Sequence, residues 1–208
     1  MRYLELAEIQ AIAARTVVAR DFLQVTVKHR ITGAPISIGF WSDAGLFTCD
    51  IVNGRTGATE EWTFNGGALT SIDDIPLLSD LSVRTVGVEL SGVDDGVQQL
   101  ARDYDARNAP IQISRGYFSP ETHVLVAPAK ARFIGFIDEA PIETPAEGGV
   151  SKIALSCASH TRELTRTNPD VRSHESQILR KSGDNFYRYA GVVGDWELFW
   201  GRKGGKAG

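Results

Sequence analysis

Between residues 81 and 160 apolar side chains recur at every second position in several segments, and those after Ala109 are joined by hairpin-scale loops rather than crossover helices. That pattern restricts the chain to strands that mostly pair antiparallel with their neighbours. "LSVRTVGVELSG" alternates through Leu81, Val83, Val86, Val88 and Leu90, with a change of phase near Thr85 that predicts a β-bulge. "DDGVQQLARDYD" sets Val97, Leu100, Ala101 and Tyr104 on one helical face, behind acidic residues that suit a helix N-terminus. "APIQISRGYF" and "ARFIGFIDEAPIE" read as strands on either side of the turn-like "SPETHVLVAP". "SKIALSCAS" alternates Ile153, Leu155 and Cys157 against polar or small residues and is expected to close the sheet. Strand, short helix and three further strands predict a mainly β fold: a small antiparallel barrel or sandwich with one inserted helix.

Upstream, "LELAEIQAIAARTVVARDFL" predicts a short helix running into the first strand, with Leu4, Ile9, Ile12 and Ala13 at helical spacing. "FLQVTVKHR", "ISIGFW" and "LFTCDIV" have strand character, and "NGRTGATEEWTFNGG" supplies turns around a short extended piece. Asn53-Gly54 and Asn65-Gly66 suit tight reversals. The expected organisation is a helix and strand-rich portion over 1–80 completing the body, a barrel core over 81–158, and a C-terminal arm over 159–208. With 42% apolar residues in 208, the chain can supply a sizeable core. Its apolar runs fall well short of the roughly 20 residues that cross a bilayer, and the first residues lack the pattern of a secretory signal; the expectation is a protein without membrane anchor or signal peptide.

After Ser159 the alternation stops. Residues 159–183 are polar, with Leu164, Val171, Ile178 and Leu179 as their large aliphatics, and an aromatic cluster follows: Phe186, Tyr187, Tyr189, Trp196, Phe199 and Trp200. Charge divides at much the same place. Residues 1–149 hold 12 Lys/Arg against 20 Asp/Glu, a net of −8, whereas residues 150–208 hold ten against six, a net of +4. A polar stretch of about 25 residues is unusual inside a compact domain and can span tens of ångströms when extended. These features predict an extended arm with an aromatic anchor that docks on a second copy. Arg162, Arg166, Arg172 and Arg180 are candidate carboxylate partners, because guanidinium makes directed paired hydrogen bonds. Tyr187, Trp196 and Trp200 are candidate anchors, with a place in the folding core as the alternative.

The sequence carries no recognisable catalytic set. Cys157 and His160 lie three apart on an expected strand and turn, and His160, Glu163 and His174 lack the helical spacing of a zinc site. Asp94, Asp95, Asp103 and Asp105 surround the predicted helix as capping and solvating residues would. No glycine-rich nucleotide fingerprint occurs, and Cys49 and Cys157 have no cysteine neighbours at metal-ligand spacing. The expectation is a structural protein, not an enzyme, with no cofactor and no metal.

"VELSGVDDGVQQLARDYDARNAPIQISRGYFSPETHVLVAPAKARFIGFIDEAPIE", residues 88–143, resembles the central segment of baseplate hub and distal-tail proteins of long-tailed, siphovirus-type bacteriophages and gene transfer agents. Those proteins combine an extended strand, a short helix, an "aPv.i.rG" strand, an aliphatic-proline step and an "lf.G.id" strand. The matching elements are Val88 to Leu90, Val97 to Tyr104, Ala109 to Gly116, Val126 to Pro128 and Phe133 to Asp138. "VTVKHRITGAPISIGFWSD" is similar to the hub opening. The ending is similar to small phage tail proteins with a "Q...pGD..f.yv" theme, here Gln177, Gly183, Asp184, Phe186, Tyr187 and Tyr189, closing on Trp200-Gly201. The resemblance implies a tail-tube-like barrel stacked around the central tail channel, and non-specific passage of DNA through that channel is compatible with the sequence. It also implies a homo-oligomer, trimeric as a hub or hexameric as a distal-tail ring, with the tail tube and other baseplate proteins as partners. Its place would be the virion tail tip, after assembly in the host cytoplasm. The cysteine cluster of iron-sulfur hub proteins is missing, and a single tube-like domain is evident where hubs often have two. A tail-associated cell-wall hydrolase is the other class considered.

Overall fold

A computed structural model describes residues 4–77, 80–143, 151–167 and 170–196. The chain divides into two compact units, Met1–Thr165 and Arg166–Gly208. The first unit opens with helix α1 (Leu6–Ala13), followed by strands β1 (Val18–His29), β2 (Pro35–Trp41), β3 (Leu46–Val52), β4 (Thr59–Gly66), β5 (Leu69–Ile72) and β6 (Thr85–Ser91). Helix α2 (Asp95–Arg102) leads to β7 (Tyr104–Asp105), β8 (Pro110–Phe118), β9 (Ala129–Glu139), β10 (Ile142–Glu143), β11 (Lys152–Ser159) and the short helix α3 (Arg162–Thr165).

The fold is mainly β with a closed barrel. Following the pairings β3-β4-β2-β1-β8-β9 and returning through the additional β3–β9 pair gives a ring of six strands. One apolar residue from each fills its interior: Phe22, Trp41, Ile51, Phe64, Phe118 and Ala129. Phe22 stacks at 6.1 Å from Trp41 and tilts against Phe64 at 4.8 Å, so aromatic rings plug this section of the barrel. Four of the six strands come from residues 18–66.

An antiparallel barrel was the expectation, and here the structure differs. Two of the ring's seams are parallel and two residues long: Phe40↔Asn65 with Trp41↔Gly66, and Ile51↔Ala129 with Val52↔Lys130. The reason lies in the link from β2 to β3. Instead of forming a hairpin, it folds back over the end of β4, where the Gly66 and Gly67 amides donate to the carbonyls of Gly45 and Asp43 at 2.8 Å each. The Trp41 indole also donates to the Gly45 carbonyl at 2.8 Å. This puts β4 rather than β3 beside β2. Gly66 is required, because a methyl group there would overlap the Asp43 carbonyl oxygen.

Strand β11 does not close the sheet, as its pattern led us to expect; β3 on β9 does that. Instead β11 continues the sheet outward from the far half of β9 to β6 and β5. The result is a second core of Leu23, Val25 and Val27 from β1, Ile111 and Ile113 from β8, Val86, Val88 and Leu90 from β6, and Ile153, Leu155 and Cys157 from β11. Helix α2 contributes Val97 and Leu100, and its N-cap Asp94 accepts from the Val97 amide at 3.0 Å. The bulge expected near Thr85 is absent from that position; the irregularity lies between Leu69 and Ser71 on β5, while Leu81 and Val83 precede β6 and are exposed.

Gly66→Ala should destabilise the first unit by about 2 kcal/mol, the cost of forcing a methyl group into filled space. Denaturant unfolding followed by tryptophan fluorescence measures it. An unchanged midpoint would contradict the close approach of the 42–45 link to β4.

Candidate functional site

The second unit is where the sequence concentrates its candidate interface groups. Its described residues form helix α4 (His174–Arg180), a turn after it, and a single 3-10 turn at Val193–Asp195. The expected extended arm is therefore locally folded over 173–195, because its polar residues close short hydrogen bonds on one another. Ser173 caps α4, accepting from the Ser176 amide at 3.2 Å. Past the helix, Gly183 takes a left-handed φ of 84°. This turns the chain so that the Asp184 carboxylate accepts from the Gln177 side chain at 2.7 Å and from the Phe186 amide at 3.0 Å. Those two bonds, the side-chain bond first, hold the Asp184 carboxyl below its ordinary range. They also account physically for the Gln177, Gly183, Asp184, Phe186 pattern, since each member makes the turn or is held by it.

The turn presents aromatic rings outward. Phe186 meets Tyr187 edge-on at 4.9 Å, and Tyr189 lies 5.4 Å from Trp196 with the Arg188 guanidinium over its face. None of the unit's described residues is buried. Leu179 is 89% exposed and Phe186 80%, with Val171, Tyr189, Val192, Val193 and Trp196 also exposed. Tyr187 is half-buried, and Trp200 lies outside the described residues.

The four candidate arginines have different surroundings. Arg162 belongs to the first unit, where it pairs with Asp138 at 2.7 Å, both half exposed. Arg180 pairs with Asp170 inside the second unit. Arg166 is also engaged within the chain, whereas Arg172 is exposed and makes no ion pair with the described residues.

Sequence reasoning missed a second exposed apolar surface. Helix α1 turns Leu6, Ile9 and Ile12, one helical stripe, toward solvent. Its opposite side is anchored by Glu8, a carboxylate almost wholly buried. Glu8 accepts from the Glu5 amide at 2.7 Å and from the Lys130 ammonium at 2.6 Å. Helical periodicity grouped Ile9 and Ile12 with Leu4 and Ala13, without Leu6, and could not show which way the face pointed; the glutamate at position 8 on the buried side was the available signal.

Cys157 is packed in the second core, and burial pushes its thiol up to about 12, away from the thiolate that a nucleophile needs. Cys49 in the barrel is likewise pushed up to about 12 by burial, with Asp50 adding to the effect. His160 packs edge-on against Phe136 at 5.4 Å. Asp105 accepts from the Arg107 amide, a turn-forming contact. Among the described residues no three His, Cys, Asp or Glu side chains come together in a metal-binding arrangement. No protein-family model matches the chain, and no curated protein does either.

The turn around Asp184 has a definite pH response. A lowered carboxyl pKa in the folded form stabilises the turn above the ordinary carboxylate range near 3.8, and this contribution disappears as pH falls through the lowered value. The Phe186 amide resonance should therefore titrate with a midpoint below 3.8 and lose that step in Asp184→Asn. A midpoint at or above the ordinary value would mean that the turn is not formed.

Proposed function

We propose that the protein is a structural subunit of a phage-type tail tip, assembling with copies of itself into a ring around the tail channel as a baseplate hub. One observation carries this reading: a C-terminal unit whose described residues include none that is buried, yet which holds its aromatic and aliphatic side chains outward on a defined turn. A segment of this kind gains apolar burial by docking, and a neighbouring copy is a partner always present at matching stoichiometry. The outward stripe of α1 offers an apolar surface on the receiving copy, and the negative balance of residues 1–149 complements the positive balance of residues 150–208.

A mainly β body with a closed six-stranded barrel is compatible with a tail-tube-like module, whose strands would continue the wall of the channel. The tail tube and other baseplate proteins would then be its axial partners, with DNA passing through the ring without sequence-specific contact. A single barrel among the described residues favours a second version of the same reading, a hexameric distal-tail ring joining tube to tip, because hubs that match threefold to sixfold symmetry often carry two such modules.

Mass photometry or sedimentation of the full chain, beside a chain ended after Thr165 and a Leu6→Glu/Ile9→Glu variant, tests the proposal. The full chain should form a closed trimer or hexamer. The shortened chain should keep the β-rich circular dichroism of the first unit but run as a monomer, and the α1 variant should weaken assembly at least tenfold. A full chain that stays monomeric at high concentration and in assembled particles would overturn it.

A further inference from the structure

Along the inside of the barrel, the aromatic plug gives way to polar side chains. Moving two residues along each strand on the same face, Phe22 is followed by Gln24 and Thr26, Ile51 by Asn53, and Phe64 by Trp62 and Glu60. These groups, with Arg55, Gln112 and Ile134, line a cavity of about 170 Å³ at one mouth of the barrel.

Most of the lining is fixed before any ligand arrives. Gln112 is fully engaged: its Nε2 donates to the Val52 carbonyl at 3.0 Å and to Ser114 Oγ at 2.9 Å, and its Oε1 accepts from the Gly54 amide at 2.8 Å. Glu60 accepts from Asn53 Nδ2 at 2.8 Å on one oxygen and from the Trp62 indole at 3.3 Å on the other. Asn53 Oδ1 in turn accepts from the Arg55 amide at 2.9 Å. Gln24 is the exception. It is only 7% exposed, it lines the cavity, and its Oε1 is buried without a hydrogen-bond partner among the described residues. Buried amide oxygens are almost always satisfied, so an orphan inside a rigid polar mouth marks a position where an incoming donor is expected.

We infer that the barrel mouth is a binding site for a neutral, polyhydroxylated six-membered ring: one monosaccharide unit. The volume corresponds to about six waters, room for a ring of that size. Ring hydroxyls can donate, as the acceptors Gln24 Oε1 and the free lone pairs of Glu60 require. Trp62, seated on Phe64 at 6.2 Å, adds an aromatic surface for the ring's C–H groups. One carboxylate and one guanidinium in the lining leave no net charge to select an ionic ligand. The site lies wholly within the first unit and does not depend on ring assembly.

The test records two-dimensional NMR spectra of the full ¹⁵N-labelled chain titrated with the methyl glycosides of glucose, galactose, N-acetylglucosamine and rhamnose, with glycerol as control. At least one glycoside should give saturable shifts concentrated at the Gln24 and Asn53 side-chain amides and the Trp62 indole. Gln24→Met, nearly isosteric, should weaken that binding at least tenfold while raising the melting temperature of the free protein, since it removes the orphan. Trp62→Phe should weaken binding with the fold retained and serves if Gln24→Met misfolds. Absence of saturable shifts with all four glycosides, or undiminished binding in both variants, would overturn the assignment. A lower melting temperature in a correctly folded Gln24→Met would show that Gln24 is satisfied by resident water, and would overturn it too. Each of these results leaves the ring proposal untouched, because that is measured by particle mass.

Discussion

Strand β9 pairs with two different partners along one edge, and the architecture of the first unit depends on that fork. Its first residues meet β3 and close the barrel, while residues 135–139 meet β11 and carry the sheet outward to β6 and β5. One strand thus serves as the wall of a closed ring and the root of an open layer. Strand β1 has the matching property at the level of side chains: Phe22 faces the barrel, whereas Leu23, Val25 and Val27 face the second core. The two cores therefore share their central strands, and neither can loosen without disturbing the backbone that supports the other. A rigid frame of this kind is suited to holding the surfaces at the barrel mouth and along α1 in fixed geometry.

Much of this frame was legible in the sequence, for a physical reason. Period-two alternation records which side chains are buried, so the strands from Val86 to Leu90, Ile111 to Ile113 and Ile153 to Cys157 announced themselves. Helix α2 did so as well through Val97 and Leu100. The parallel seams could not be seen, because each involves two pairs of residues and is decided by how the 42–45 link crosses β4. Local composition records no such crossing. Gly66 was noted as half of a turn-forming dipeptide; its actual constraint, close approach to the Asp43 carbonyl, appears only once both segments are placed. The barrel mouth was hidden differently. Gln24, Asn53, Glu60 and Gln112 each occupy a polar position of an alternating strand or its turn, which ordinarily faces water, and closure of the ring is what turns these four positions inward.

The C-terminal unit shows the opposite balance. Its chemistry was visible as a polar run followed by aromatics, but the partners of its charges were not. Arginines expected to reach a neighbour's carboxylates include two that reach carboxylates of their own chain, Arg162 to Asp138 and Arg180 to Asp170. Both pairs are well exposed, and exposed pairs contribute about 0–1 kcal/mol. The Arg180–Asp170 pair shapes the segment more than it attaches it, and the Arg162–Asp138 pair lies within the first unit. In the assembly proposed above, the attachment must then come chiefly from apolar area, because Leu179, Phe186 and Trp196 are the groups with the most to gain from leaving water. This ordering has a consequence for salt. Contacts driven by burial are insensitive to screening, whereas long-range attraction between an acidic body and a basic end weakens as ionic strength rises. A ring built this way would assemble more slowly in high salt yet remain closed once formed, which separates steering by charge from retention by the aromatic turn.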